Sequence, residues 1–563
     1  MSKKMFRESK KENQINMFTS ISGMLQGTTY EQYNNSQAWH NMFRVHVVSR
    51  IDENLFKTLF NKKMGAPNAS IRVLMGMMAL KEGFGWSDNE LFENCRFNLL
   101  VRSALGLLHI NDSIPAESTY YLFRKRIHEY NKQNQVDLIE KVFQQITSEQ
   151  VLAFDVSGRS IRMDSKLIGS NIASCTRYEI VHKTLVLFYN EMIKTTPIKL
   201  AGDDLAQLKE LSETTGNKVV YHSTREEIQK RLLDLGILCY KVLSVYEEKD
   251  NKYYPLLKRV FDEHFRLGEN GQTELRPKEE IKSDSVQSPF DDECAYRNKD
   301  NKPVKGYSIN ATETCDDDTL NLITDIQVAP ANKPDTEFVK PALDNTTQVL
   351  DHKPEDLHAD GAFHSPDNID HCQKEDINHY FTGMPGMPGR YDLTLRDDTL
   401  TVIDTQTGEI IPAYKNKSGK WSIKTEKGYR YFSDHQIENC QLRKQIEQIP
   451  GEKLNKRNNV EATIFQLSYY TRNNKTRYRG FVQHKIWALL RCIWINLKRI
   501  IAYVKQICQR TCLFNQIMPS YWFFSQKISF ENIFKRIFNL YQTFFKDLGE
   551  LSTKFTFMKL DFL

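Results

Sequence analysis

Strand-like segments occur at widely separated positions in this chain, with a long helical stretch between the first segment and the rest. Apolar or alternating residues predict strands over 151–163, 305–312 and 320–328 and directly before Asp360. Leucines at helical spacing predict a mainly helical block over 175–290. Because this block separates strands, we interpret it as an insertion in an α/β core. Short alternating strands predict a second, β-rich insertion over 391–435.

The first strand segment has the pattern of a hairpin. The apolar run Val151–Phe154 and the alternating run 159–163 flank a turn-like segment, Asp155–Gly158. Asp164 would then close the second strand. Asp155 is a rival candidate for a site carboxylate, but aspartate is common at turns for conformational reasons alone.

The length of 563 residues is too great for one hydrophobic core, so several domains are expected. Apolar and charged contents of 40% and 26% are those of a globular protein. The composition along the chain predicts the following units: a mobile N-terminus over 1–35, a helical N-terminal domain over 36–150, an α/β domain with both insertions over 151–505, and a basic aromatic C-terminal tail over 506–563.

The helical N-terminal domain has two interpretations. Ser87 and Glu90 form a capping-box pattern, and a further helix ends in Arg124, Lys125 and Arg126. Several short helices with a basic last one are typical of a DNA-binding domain. They are equally typical of a structural cap, and the pattern alone favours neither.

Positive charge is concentrated near the end of the chain. The net charge is only +6, but residues 451–563 contain 19 Lys and Arg against 6 Asp and Glu. This asymmetry indicates a polyanionic partner for that part of the chain. The ten cysteines show no Cys-x-x-Cys pair, and neither a signal peptide nor a membrane span is apparent. We therefore expect free thiols, no membrane association and a cytoplasmic location.

Three carboxylates stand out by their positions. Glu461 falls in the first turn of a short helix with Val460, Ile464 and Leu467 on its apolar face and Asn458 or Asn459 as its cap. A first-turn acid can simply complement the helix dipole. Asp164 and Asp360, however, are each predicted at a strand end. Carboxylates on two strands and a helix could hold two Mg²⁺ ions roughly 3.5–4 Å apart for phosphoryl transfer. The pattern alone does not bring them together.

Several motifs, taken together, resemble the DDE transposases of bacterial insertion sequences. The resemblance covers roughly residues 40–505 and is carried by the motifs Trp86-Ser-Asp-Asn-Glu-Leu91, Met163-Asp-Ser165 with Ser170-Asn171, Ala359-Asp-Gly361, Arg457-Asn-Asn-Val-Glu461 and Arg477-Tyr-Arg-Gly480. It implies an insH-type helical N-terminal domain and an RNase-H-like catalytic core of the retroviral-integrase superfamily. By this resemblance Asp164, Asp360 and Glu461 are the catalytic and metal-binding residues. The expected cofactor is Mg²⁺, with Mn²⁺ able to substitute.

The resemblance also implies an activity and partners. The protein is expected to cleave DNA at the terminal inverted repeats of its element and to join the freed end to target DNA, as a homodimer on the DNA. Binding to DNA would associate it with the nucleoid. Two alternatives stay open: a catalytically inactive DNA-binding relic or repressor, and an RNase-H-like nuclease without strand transfer.

The basic residues near the motifs are the expected DNA contacts. They are Arg124, Lys125, Arg126, Arg457, Arg472, Lys475, Arg477, Arg479, Lys498 and Arg499. The helix signature of the family places Tyr and Lys where this chain has Leu454 and Ser468. Arg472 follows Glu461 by eleven residues, about three helical turns, so it would return to the same face if the helix continued that far. We therefore predict that Arg472 replaces the missing lysine.

Overall fold

The structure is a computed structural model of the chain. It describes residues 6–8, 19–61, 67–195, 197–200, 202–299, 301–384, 388–396, 398–416, 419–425 and 428–521, with side chains to residue 509. No helix in these ranges is both long and apolar enough to span a membrane. The cysteines whose side chains are described are all free thiols. Most of the predicted basic aromatic tail lies outside the described residues.

Helices make up the described part of the chain before residue 154. They are α1 Ile21–Met24, α2 Gly27–Asn34, α3 Trp39–His46, α4 Ile71–Phe84, α5 Asp88–Phe97, α6 Leu99–Ala104, α7 Glu117–Asn134 and α8 Leu138–Ala153. The predicted capping box is confirmed at the start of α5, where Ser87 accepts from the Glu90 amide and the Glu90 side chain accepts from the Ser87 amide. Gly85 ends α4 with a positive φ of 72°, a conformation that favours glycine.

A mixed sheet of six strands forms the centre of the remaining chain. The strands are β1 Ser160–Gly169, β4 Ala295–Lys299, β5 Lys302–Thr314, β6 Ile323–Pro330, β7 Asp356–Ala359 and β8 Asn378–Phe381. β5 lies antiparallel to β1, β4 and β6, whereas β7 lies parallel to β1 and β8 lies parallel to β7. The long strands therefore run in the spatial order β6-β5-β1-β7-β8, with β4 extending one end of β5. Helices α14 Val339–Leu350 and α15 Pro366–Lys374 connect β6, β7 and β8.

The predicted hairpin at 151–163 is wrong. Val151 belongs to the last turns of α8 and continues its buried face, which contains Val142, Phe143 and Ile146. Asp155 then turns the chain with a positive φ of 51°. A single strand, β1, follows, and Asp164 lies in its middle rather than at its end. A four-residue apolar run does not distinguish a strand from a helix end, which is why the pattern misled.

The predicted helical block between β1 and the next sheet strand is present. It consists of α9 Arg177–Thr195, α10 Gly202–Glu213, α11 Gly216–Tyr221, α12 Arg225–Val245 and α13 Tyr254–His264, with a small hairpin formed by β2 Phe265–Leu267 and β3 Thr273–Leu275. These elements surround a hydrophobic core of their own, in which Leu185, Phe188 and Leu257 are fully buried. The sheet strands on either side can therefore pair as if the block were absent.

The β-rich segment after β8 also has its own core. It contains β9 Tyr391–Arg396, β10 Thr399–Asp404, β11 Ile410–Pro412, β12 Tyr414–Lys415, β13 Trp421–Thr425 and β14 Gly428–Phe432, arranged in two antiparallel three-stranded sheets. Helix α16 Asp434–Glu447 packs on β9. Val402, Ile423 and Ile437 are buried in the core of this segment.

Three helices complete the described chain: α17 Gly451–Asn455, α18 Val460–Leu467 and α19 Phe481–Tyr521. Helix α19 packs against α4, α8 and β6. One continuous core therefore joins the N-terminal helices to the sheet. Within it, Trp494 of α19 contacts the rings of Trp39, Phe43 and Phe84.

Candidate active site

Asp164 lies on one face of β1, and the opposite face of the strand packs into the hydrophobic core shared with α14 and α15. Its neighbours Ile161 and Met163 point into that core and are fully buried. Because side chains alternate along a strand, Arg162, Asp164 and Lys166 share the opposite face. Burial raises the pKa of the Asp164 carboxyl, although a hydrogen bond from the Ser165 amide, at 2.8 Å, and the charge of Arg457 oppose the shift.

Asp360 directly follows β7, the parallel neighbour of β1. The register pairs Ser160 with Asp356 and Arg162 with His358, and the same offset sets Asp360 beside Asp164. Neighbouring strands lie about 4.8 Å apart, so both carboxylates lie at one place on the sheet. Gly361 then turns the chain close to the β-rich segment: a Cβ at this position would lie 2.7 Å from the carbonyl carbon of Gly383. Only glycine allows that approach.

Glu461 reaches the same place from α18, and Arg457 connects it to Asp360. The Arg457 guanidinium lies 3.3 Å from Glu461 and 3.5 Å from Asp360. The predicted asparagine caps are not formed, because a 3-10 turn over Lys456–Asn459 leads directly into the helix and holds Asn459 in helical backbone geometry. That turn is what aims Arg457 between the two carboxylates.

The chemistry of this donor set fits a divalent cation. Oxygen ligands are those that Mg²⁺ and Mn²⁺ prefer, and the side chains of Asp360 and Glu461 are 41% and 63% exposed. Within the described residues, however, no three His, Cys, Asp or Glu side chains are close enough together to bind a metal ion. Arg457 takes up the space between two of them. A cation bound there would have to displace this guanidinium.

A buried ion cluster fixes the elements that bear the carboxylates. Glu313 of β5 is fully buried, 2.6 Å from Arg162 of β1 and 2.5 Å from Arg499 of α19. It also accepts a hydrogen bond of 2.6 Å from Thr463 of α18. Burial acts to raise the pKa of Glu313, but Arg499, Arg162 and Thr463 together hold it below the ordinary value. The cluster ties β1 to α18 two residues away from both Asp164 and Glu461. Sequence reasoning missed Glu313, Arg162 and Thr463, because nothing in their local pattern indicates a partner 36 or more residues away.

A second set of contacts fixes β7, the strand that directly precedes Asp360. Asp356, at the start of β7, forms an ion pair of 2.5 Å with Lys453 of α17. His358 Nδ1 lies 2.9 Å from the Lys453 carbonyl oxygen, so this nitrogen carries the proton and donates it. Both contacts hold strand β7 against the segment that leads to Glu461.

The predicted DNA-contacting cations have different surroundings in the structure. Arg499 belongs to the buried cluster, Arg477 pairs with Glu82 at 3.0 Å, and Arg124 donates to Gln483. The Lys475 ammonium and the Arg479 guanidinium donate to the backbone carbonyls of Ile172 and Asn171. Arg457 lies among the carboxylates, as described above.

Three of the other four predicted cations lie on helices α7 and α19. Lys125 pairs with Glu129 at 3.7 Å across one turn of α7, and Arg126 lies over the Phe60 ring. Lys498 is exposed on α19.

The placement predicted for Arg472 is wrong. Helix α18 ends at Leu467, five residues before Arg472. Tyr470 then adopts a positive φ of 66°, and Arg472 lies in a tight turn bridged to Lys475. It therefore does not return to the face of Glu461.

Comparison with known families gives two matches. Residues 31–126 match the Transposase domain (DUF772) family, and residues 294–497 match the Transposase DDE domain family. No curated protein and no solved structure matches the chain. The two matched domains define an enzyme that acts on DNA by DDE-type chemistry. The chain belongs to the DDE transposases of the insertion-sequence type. Asp360 and Glu461 lie within the second match, and Asp164 lies outside both.

Proposed function

We propose that Asp164, Asp360 and Glu461 are the catalytic residues with which this transposase cleaves DNA at the ends of its element and transfers the freed 3′-OH to target DNA. The observation that supports the proposal is the link between the elements that bear these carboxylates. Asp164 and Asp360 share one offset on neighbouring parallel strands, and Arg457 joins Asp360 to Glu461.

The strand order supports an RNase-H-like core. Three antiparallel strands, β6, β5 and β1, are followed by two parallel ones, β7 and β8, with the carboxylates where β1 meets β7. We propose residues 151–505 as this catalytic domain, with insertions at about 175–290 and 391–435, and residues 36–150 as an N-terminal domain that contributes to end recognition.

The chain provides the positions for phosphoryl transfer. Asp164, Asp360 and Glu461 would hold Mg²⁺ or Mn²⁺, which when bound supplies Lewis-acid stabilisation of the oxygens around the reacting phosphorus. The buried Glu313 cluster keeps β1 and α18 at a constant separation. Arg457, once displaced from the carboxylates, would be free to donate to a phosphate oxygen, an acceptor that suits a guanidinium. The partners would be terminal inverted repeats and target DNA, bound by a homodimer in the nucleoid.

Isosteric removal of the Glu461 charge tests this proposal. Glu461→Gln should reduce cleavage of terminal-repeat DNA by about 100-fold or more, because it removes a metal-binding charge and almost no volume. Binding to the same DNA should stay within about threefold of the parent protein. The matched control is Asp155→Asn, which changes the rival carboxylate at the turn before β1 and should leave cleavage unchanged.

Cleavage by Glu461→Gln within about tenfold of the parent would overturn the assignment. A parent protein that binds terminal repeats without cutting them would be the relic or repressor. One that cuts without joining strands would be a nuclease. A strand-transfer assay with pre-cleaved ends distinguishes such a nuclease from a transposase.

A further inference from the structure

A lysine on the sheet touches the end of the helix that bears Glu461. Lys166 follows Asp164 by two residues on the same face of β1, about 7 Å further along the strand. Its ammonium donates a hydrogen bond of 2.8 Å to the hydroxyl of Ser468, the residue that ends α18. The Ser468 hydroxyl lies 3.1 Å from the Ile464 carbonyl and 3.0 Å from the Phe465 carbonyl, so the helix holds it in place.

The charge of Lys166 is not balanced by a carboxylate. Among the described residues no acid pairs with Lys166, and its side chain is only partly exposed. Other buried lysines of this chain differ: Lys485 pairs with Glu140 at 2.8 Å, and Lys81 pairs with Asp88. A partly buried cation with only a neutral hydroxyl beside it costs free energy that an incoming anion would recover.

The surroundings of Lys166 point to an extended polyanion. Glu461, Phe465 and Ser468 are spaced four and three residues apart, so they share one face of α18. Phe465 is 60% exposed, and its ring contacts the half-exposed Tyr469 ring, with 5.1 Å between the centroids. The face therefore leads from a carboxylate of the active site, past exposed aromatic rings, to an unpaired ammonium.

We propose that Lys166 and Ser468 form a binding site for a backbone phosphate of the DNA strand, next to the phosphate that reacts. The position of this site rests on the proposed function, because Lys166 lies two residues beyond Asp164 on β1 and Ser468 lies about two helical turns beyond Glu461 on α18. In this arrangement α18 ends in the neutral Ser468, and the positive charge next to it comes from Lys166 on strand β1.

Loss of the Lys166 charge tests the site directly. Lys166→Met keeps the length of the side chain and should weaken binding to a terminal-repeat duplex about 10- to 100-fold in EDTA at low salt. The slope of log affinity against log salt should fall by about one ion. Since EDTA prevents cleavage, this binding result does not depend on whether the carboxylates are catalytic.

Two further variants make the test specific. Lys230→Met removes an exposed lysine from the helical insertion and should leave affinity and slope unchanged. The double variant Lys166→Met with Ser468→Lys should regain most of the affinity and the lost slope, because a lysine at 468 restores a positive charge next to the position of the lost ammonium. An unchanged affinity and slope in Lys166→Met, with the parental thermal unfolding, would overturn the proposal. So would a Ser468→Lys change that fails to rescue.

Discussion

The buried carboxylate of Glu313 links three elements of the fold. Its two carboxylate oxygens face Arg162, Arg499 and Thr463, which come from three different elements. Each cation is mostly removed from water, and among the described residues neither forms an ion pair with another carboxylate. The carboxylate therefore fixes the relative positions of the strand with Asp164 and the helix with Glu461.

Removal of that charge should be costly. Glu313→Gln leaves two buried guanidinium groups without their anion, and we expect it to lower the free energy of unfolding by about 3–5 kcal/mol. Chemical denaturation at neutral pH measures the change. The matched control is Glu355→Gln, which breaks an exposed pair with Arg159, 3.7 Å apart, and should cost less than about 0.5 kcal/mol. Equal effects in the two variants would contradict a structural role for Glu313.

At the scale of residues, motifs predicted more than periodicity did. Asp360 and Glu461 were placed near each other by resemblance, and the structure brings them to one guanidinium. Lys166 and Glu313 could not be recognised, because their partners, Ser468 and Arg499, lie 302 and 186 residues away. Arg472 was misplaced because the prediction assumed a longer helix, which the turn after Leu467 ends.

At the scale of elements, β7 depends on its contact with α17. His358 donates from Nδ1 to the Lys453 carbonyl, and its other ring nitrogen is buried without a hydrogen-bond partner. A second proton would have to sit on that unpartnered nitrogen. Burial accordingly lowers the pKa of His358 to about 4.

This shift predicts how stability depends on pH. The pKa of His358 is lower in the folded chain than in the unfolded one, so the unfolded chain takes up a proton first as the pH falls. We expect the free energy of unfolding to fall from about pH 6.5 towards pH 4. His358→Gln, which can still donate to the Lys453 carbonyl, should reduce this loss. Denaturant titrations across that range measure it, and a slope equal to that of the parent would refute the prediction.

Some of the pH dependence should persist in that variant. Burial also lowers the pKa of His46 to about 3 and that of His264 to about 4. These side chains belong to the N-terminal helices and the helical block, so they titrate independently of β7.

The elements differ in how well their patterns predicted them. The helical block over 175–290 followed directly from its leucine spacing, because each helix there buries one face in a local core. The run 151–154 was assigned to a strand, because a short apolar run fits both an inward strand and a helix that ends under a core. The predicted asparagine caps are absent because a 3-10 turn directly before Val460 leads into the helix, so the asparagines do not lie at a free helix start.

At the scale of the whole molecule, the helices before residue 154 and the sheet share one core. Helix α19 runs between them, and Trp494 inserts among three aromatic residues of the N-terminal helices. Gly83 lies against the same indole: a Cβ there would be 2.5 Å from the Trp494 ring. These helices pack against the body of the protein, and their predicted role in binding DNA stays a prediction. Hydrophobic periodicity identifies an apolar face but not the face that covers it.

Truncation of this indole should therefore affect both regions at once. Trp494→Ala should lower the free energy of unfolding by about 3–5 kcal/mol, because it leaves a large cavity in a shared core. Near-ultraviolet circular dichroism and far-ultraviolet circular dichroism should still report one coincident transition. Two separate transitions in the parent protein would show that the regions fold independently, contrary to the shared core.

The position of α19 in the chain has a consequence for synthesis. The N-terminal helices leave the ribosome first, but the helix that covers their apolar face begins at Phe481, more than 300 residues later. Until then that face is available to chaperones and proteases. We expect a product that terminates early to keep this face exposed and to be degraded faster than the full chain. We therefore expect the stable protein to consist mainly of chains that extend past the start of this helix, and these chains also contain Asp164, Asp360 and Glu461.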